Sequence, residues 1–199
     1  MMTIMSTPTT RKELTHDRIL DVAARAIRRA GYDGVGLATI MKEAGLTHGG
    51  FYAHFASRDA LLAEATQRAG RDTGAFLVER LRQAQAEGTS AFSALVNTYL
   101  ADAQLANAEC GCVVAALASE IPRQSDDVAS AARARVLGLV ELVRRSLPAR
   151  VDPAQAQAQA QVVAATMVGA LQLARTLQGD AGTAWLANVR HHLIQQYDA

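Results

Sequence analysis

Gly45-Leu46-Thr47-His48-Gly49-Gly50-Phe51-Tyr52-Ala53-His54-Phe55 is the stretch that decides the fold. Gly45 stops a short apolar segment over 37–44 and begins a tight turn, for which glycine supplies the backbone angles. Thr47 suits an N-cap. That places Leu46 at N′ and Phe51 at N4, the hydrophobic-staple positions of a new helix. Phe51 and Phe55 then point to the core. Two short helices joined by so tight a turn have helix-turn-helix spacing, in which the second helix enters the major groove. Gly49 and Gly50 each cost that helix about 1 kcal/mol in propensity. Together with Ala53 they keep its surface small, as close approach to a duplex requires. The plainer alternative is a loop over 45–50.

Outward from this stretch the chain reads as helices. Ile19, Val22, Ala23, Ala26, Ile27 and Ala30 recur on one face and predict a helix over 13–30, ended by Gly31. Ser57 caps a long helix over 58–86 with Asp59 in its first turn and Leu62, Ala65, Ala69, Phe76 and Leu77 inward. Gly88 breaks it. Further helices follow from Phe92 to Ala103, over 113–120 (ended by Ile121-Pro122), and from Ala132 to Leu147. Asp152-Pro153 opens another, with Val163, Met167, Ala170, Leu171, Ala174 and Leu177 on one face. A turn over 179–182 leads to the last stripe, Trp185, Val189, Leu193 and Tyr197. The expectation is an all-α chain of about nine helices with no strand pair.

Composition agrees. The 199 residues are half hydrophobic and one-fifth charged, with 4 Pro and only 5% aromatic residues. That is a globular, helix-favouring composition. No run of about 18 apolar residues marks a membrane span. The start has no apolar stretch of the secretory type, and the two cysteines form no disulfide framework, so the expected compartment is the cytoplasm. Net charge is +1, but residues 1–58 hold eight basic against five acidic side chains. A polyanion would therefore meet the N-terminal quarter.

Gly31-Tyr32, Ile40, Ala44-Gly45-Leu46-Thr47, Gly49, Phe51-Tyr52, His54-Phe55, Arg58-Asp59 and Leu61 together resemble the DNA-binding signature of the tetracycline-repressor (TetR) family, over residues 15–61 without a gap. The resemblance implies a homodimeric one-component regulator, most simply a repressor. It would bind a palindromic operator in double-stranded DNA and be released by a small-molecule effector, lipophilic or aromatic. It divides the chain into a mobile tail (1–10), a helix-turn-helix domain (11–56) and a ligand-binding and dimerisation domain (57–199). In the resemblance Thr47, Tyr52, His54 and Arg58 face the DNA backbone, while His48, Gly49, Gly50 and Ala53 lie where the recognition helix meets the groove. Gly36, Met41 and Ile27 depart from the family pattern, and none of them is a DNA contact.

Elsewhere, Phe76, Tyr99, Cys112, Met167 and Gln172 are candidate effector-pocket residues, with ordinary core packing as the alternative for each. Val163, Met167, Leu171, Trp185, Val189 and Leu193 are the candidate dimer face. Cys110-Gly111-Cys112 precedes a predicted helix. A thiol there has its pKa lowered, which admits a redox- or electrophile-sensing repressor; alternatively both cysteines are small buried hydrophobes. No metal site, cofactor site or catalytic constellation is expected. A different class, an all-helical enzyme or small-molecule carrier with an incidental helix-turn-helix, stays open.

Overall fold

A computed structural model describes residues 10–198. The order is α1 (Arg11–Ala30), α2 (Leu37–Glu43), a 3-10 segment (His48–Ala53), α3 (Arg58–Ala86), α4 (Ala91–Tyr99), α5 (Ala103–Ala106), α6 (Val113–Leu117), α7 (Asp126–Ser146), α8 (Pro153–Leu177) and α9 (Gly179–Asp198), with 3-10 turns at Ala108–Cys110 and Ile121–Arg123. No strand occurs among the described residues.

Caps fix most boundaries. α1 begins two residues before the periodicity indicates. The Thr10 hydroxyl accepts from the Glu13 amide at 3.2 Å, and the Glu13 carboxylate accepts from the Thr10 amide at 2.7 Å, a complete capping box. Thr10 thus belongs to α1 and not to a tail; the remainder of the expected tail lies outside the described residues. Ser57 caps α3 and Asp152 caps α8, as their sequences foretell. The expected turn over 179–182 is instead the first turn of α9, and the reversal falls on Gln178 and Gly179, both at positive φ. α5 has no counterpart in the sequence reading, and α4 ends at Tyr99.

The core is continuous. Ile19, Ile27, Tyr32, Ile40, Met41, Phe51, Leu61 and Leu62 join the N-terminal helices to α3, and Phe92, Leu95, Leu117, Val143 and Met167 continue it. α3, about 44 Å long at 1.5 Å per residue, packs on α1 near its start and on α7 along its length. α8 is long and apolar enough to cross a membrane by length and composition alone. Its inner face is nevertheless part of this core, through Val163, Met167 and Leu171.

Candidate functional site

The helix-turn-helix is built on buried aromatic rings. Phe51 and Phe55 stack with centroids 5.6 Å apart, and Phe55 also stacks on His16 of α1 at 4.4 Å. Tyr52 meets Phe51 edge-on at 5.1 Å, while most of its own surface is exposed. Gly45 takes the turn at φ +70°. The segment expected as a third α-helix is 3-10, and Thr47 makes no side-chain cap bond. Gly49-Gly50 explains both departures, because two adjacent glycines hold α-helical geometry weakly. Neither glycine is required by internal packing: a Cβ at Gly49 meets nothing within 4 Å, and one at Gly50 makes only ordinary contact at 3.9 Å.

Thr47, His48, Gly49, Tyr52 and Ala53 are exposed, and Gly50 is half-buried. Lys42 lies nearby at the end of α2, exposed and without an ion pair among the described residues. His54 is half-buried, and its Nδ1 has no partner among the described residues. Burial, reinforced by electrostatic repulsion from His16 and Lys12, lowers its pKa from the ordinary value. Arg58 is half-buried, and its guanidinium donates to the Tyr32 carbonyl, which ties the start of α3 to the end of α1.

A second site lies between α3 and α7. A cavity of about 370 Å³ is lined by both helices together with Tyr99, Cys112, Val113 and Val114. Four of its lining residues, Thr73, Leu77, Tyr99 and Cys112, also border a small inner void that reaches Phe76. Of the pocket residues expected from sequence, Tyr99 and Cys112 line the cavity, and Phe76 touches only the inner void. Met167 and Gln172 line neither. Met167 is wholly buried on the inner face of α8, where it packs the core. The sequence reading missed Arg71, Arg135 and Arg145, and also Gly70, Gly74 and Gly138. The readable signal was three glycines inside long helices, each costing about 1 kcal/mol without a local reason. Tyr99 is 2% exposed, and burial, with the Cys112 thiol beside it, holds its pKa well above the ordinary value. It is therefore a neutral O–H donor.

The 108–123 segment connects the two sites. Cys112, both on the cavity and at the N-cap of α6, follows Gly111, whose carbonyl accepts from Arg28 of α1 at 3.2 Å and from Thr73 of α3 at 3.2 Å. The Glu120 carboxylate accepts from the Tyr32 amide at 2.8 Å, and Glu109 pairs with Arg29 at 3.2 Å. Gly31 fits here because it has positive φ and because a Cβ would lie 2.6 Å from the Glu120 carboxylate. Cys110 is exposed and Cys112 buried, and both are free thiols.

The expected dimer face divides. Val163, Met167, Leu171 and Leu193 are buried within the chain, so they are not available to a partner in this arrangement. Trp185 is exposed and Val189 half-buried. The exposed apolar residues of α8 are Val162, Leu173 and Leu177.

Comparison with known proteins agrees with this architecture. The family described as bacterial regulatory proteins, tetR family, matches residues 19–65, and the transcriptional regulator LmrA/YxaF-like C-terminal domain matches residues 86–182. No curated protein matches. A TetR transcriptional regulator from Legionella pneumophila has a TM-score of 0.76 at 21% identity, covering 98% of this chain and 100% of that one. The reduced form of Escherichia coli NemR has a TM-score of 0.74 at 22% identity, covering 91% and 95%. Bacillus subtilis FadR in complex with stearoyl-CoA has a TM-score of 0.65 at 16% identity, covering 90% and 97%. With the signature at 31–61, two family matches that together span most of the sequence, and the same fold in these structures, the chain belongs to the TetR family of bacterial transcriptional regulators, DNA-binding proteins with an N-terminal helix-turn-helix.

Proposed function

We propose that the protein is a repressor that binds a palindromic operator as a homodimer in the cytoplasm and is released by a small lipophilic or aromatic effector. Residues 11–56 form the DNA-binding part and residues 57–199 the effector and dimer part. The observation that carries the reading is the 108–123 segment, which lines the cavity through Cys112 and holds α1 through Gly111 and Glu120. An operator needs two recognition segments about 34 Å apart. A ligand that fits the cavity better in another helix arrangement lowers operator affinity by its differential affinity for the two states. α3 and the 108–123 segment both transmit that shift to α1.

On the DNA side, Thr47, Tyr52, His54 and Arg58 position the protein on phosphates, and His48 and Ala53 meet base edges, with Gly49 and Gly50 allowing the approach. An electrophoretic shift with the DNA upstream of the protein's own gene tests the reading. Saturable binding to a palindrome is expected, weakened by an effector. A helical enzyme or carrier would leave that DNA unshifted.

Thiol sensing is a second reading with its own support. The guanidinium groups of Arg28, buried, and Arg175, half-buried, lie within electrostatic reach of the Cys112 thiol. The NemR structure to which this chain is similar is described as the reduced form. Mild peroxide should then release the operator, and Cys112→Ser should abolish release while sparing binding. An equal response in the variant leaves Cys112 a packing residue.

A further inference from the structure

The cavity between α3 and α7 has an electrostatic character that its apolar lining hides. Three arginines border it, Arg71 on α3 and Arg135 and Arg145 on α7. None of the three makes an ion pair among the described residues. Among the described residues the one carboxylate on the lining is Glu141, and both of its oxygens accept from Arg144, at 2.7 and 2.8 Å, so its charge is already offset.

Arg135 is built into the site. Its Nε is buried and has no hydrogen-bond partner among the described residues. Its side chain crosses α3 where α3 has a glycine: a Cβ at Gly70 would lie 2.0 Å from Arg135 Cδ. Gly74 and Gly138 also line the cavity, and a Cβ at either would meet nothing within 4 Å. A glycine inside a helix is unfavourable relative to alanine. Here one glycine admits a guanidinium and two leave space open.

The inner wall supplies a second poorly satisfied group. Tyr99 is 2% exposed and lines the cavity, and among the described residues its hydroxyl has only the Cys112 thiol beside it, outside good hydrogen-bond geometry. A thiol sulfur is a weak acceptor, so a ligand oxygen facing this hydroxyl satisfies a buried donor that the protein itself serves poorly. Leu77, Leu139 and Leu142 give the apolar surface between donor and cations.

We infer that the cavity takes an amphipathic organic anion, an apolar body with one carboxylate or sulfonate held by Arg135 with Arg71 or Arg145, and an acceptor atom facing the Tyr99 hydroxyl. The inference rests on the reading of this cavity as the effector site and narrows its ligand to a charge class. A neutral lipophile would leave the guanidinium of Arg135 half-buried and unpaired, and a cation would be repelled.

Two fluorescent probes of the same shape test it on the full-length protein. Anilinonaphthalene sulfonate carries the anion, and N-phenylnaphthylamine lacks it. The sulfonate should bind saturably and at least about tenfold more tightly than the neutral probe, the scale of a charge-assisted hydrogen bond. Arg135→Gln should remove that preference and leave the neutral probe within about twofold, since its apolar contacts are untouched. Arg135→Lys should restore part of the preference. Gly70→Ala should lower sulfonate affinity with every arginine still present, because the new methyl displaces the Arg135 side chain. Arg145→Gln, on the exposed rim, gives a milder loss in a variant whose folding has nothing buried to lose. Equal affinity for the two probes, no saturable binding of either, or an Arg135→Gln variant that keeps the full preference overturns the inference. Operator binding is measured separately with the same sulfonate. Preference with no effect on the operator sustains the anion site and counts against effector release alone.

Discussion

His54 joins the exposed face of the helix-turn-helix to the core. Its ring lies 6.2 Å from the His16 ring, and His16 pairs with Glu64 at 2.9 Å. Burial and electrostatic repulsion from His16 and Lys12 lower the His54 pKa, so the folded state takes up this proton less readily than the unfolded chain. The contribution to stability is therefore intact above about pH 6.5, the unfolded value, and is lost as pH falls from there through the lower folded value. The thermal midpoint should drop between about pH 7 and 5, and less so in His54→Gln; an identical drop in the variant would assign the effect to other groups. Tyr52 is the cleaner DNA probe, because its ring packs on Phe51 while most of the side chain is free. Tyr52→Phe should weaken all operator variants alike by about 1 kcal/mol, the net value of one hydrogen bond. Ala53→Gln should instead change which base is preferred, and a panel of single-base operators distinguishes the two. Arg58 is harder to read, since its guanidinium already donates to the Tyr32 carbonyl. If it also meets phosphate, Arg58→Ala lowers the salt slope by about one per half-site; an unchanged slope leaves it only the joint between α1 and α3.

At the scale of elements, periodicity and caps were informative where a helix has one apolar face and a polar opposite. α1, α3 and α7 are of this kind, and Ser57 marked the start of α3. α8 is different. Val162 and Val163 are neighbours, one largely exposed and the other wholly buried, and Leu173 and Leu177 on the outside are as apolar as Met167 and Leu171 on the inside. A helix apolar on both sides does not say which side meets the core, and here the core takes Val163, Met167 and Leu171 of the expected dimer face. The Thr10 cap was hidden among other Thr and Ser residues. The cavity was half legible: Tyr99 and Cys112 were named, but Arg135 reaches it only because α7 lies beside Gly70, a tertiary fact. Helix-interior glycines are the exception, since they advertise a local cost. Gly74 has open space where a Cβ would sit. Gly74→Ala should therefore stabilise the protein by about 0.5–1 kcal/mol through helix propensity and a less free unfolded chain. The urea midpoint should rise with an unchanged slope. Destabilisation would mean that the space is not empty in solution.

At the scale of the whole molecule, the proposed repressor reading requires a second copy. The stripe Val162, Gly169, Leu173 and Leu177 runs along the outside of α8 at helical spacing, and Trp185 is exposed on the adjoining α9. A Cβ at Gly169 would meet nothing within 4 Å, which leaves room for a partner helix to approach closely. Fully burying each such side chain is worth about 1.5–3 kcal/mol, and a contiguous apolar face of this kind is rare on a monomer. An isologous pairing of α8 and α9 with their symmetry mates would cover it on both copies. Leu173 lies within the stripe and is half exposed, so charging it disturbs no internal packing. Leu173→Glu should keep the helical content and yield monomers by light scattering at micromolar concentration. It should also lose high-affinity operator binding, because a lone recognition segment reads one half-site without the geometric link to the other. Leu171→Ala, two residues away but facing inward, should lower the unfolding midpoint through a core cavity, at a cost of about 2–5 kcal/mol, and leave the assembly dimeric while folded. A Leu173→Glu protein that remains a dimer would place the interface elsewhere, and a wild-type monomer at micromolar concentration would remove the dimer itself.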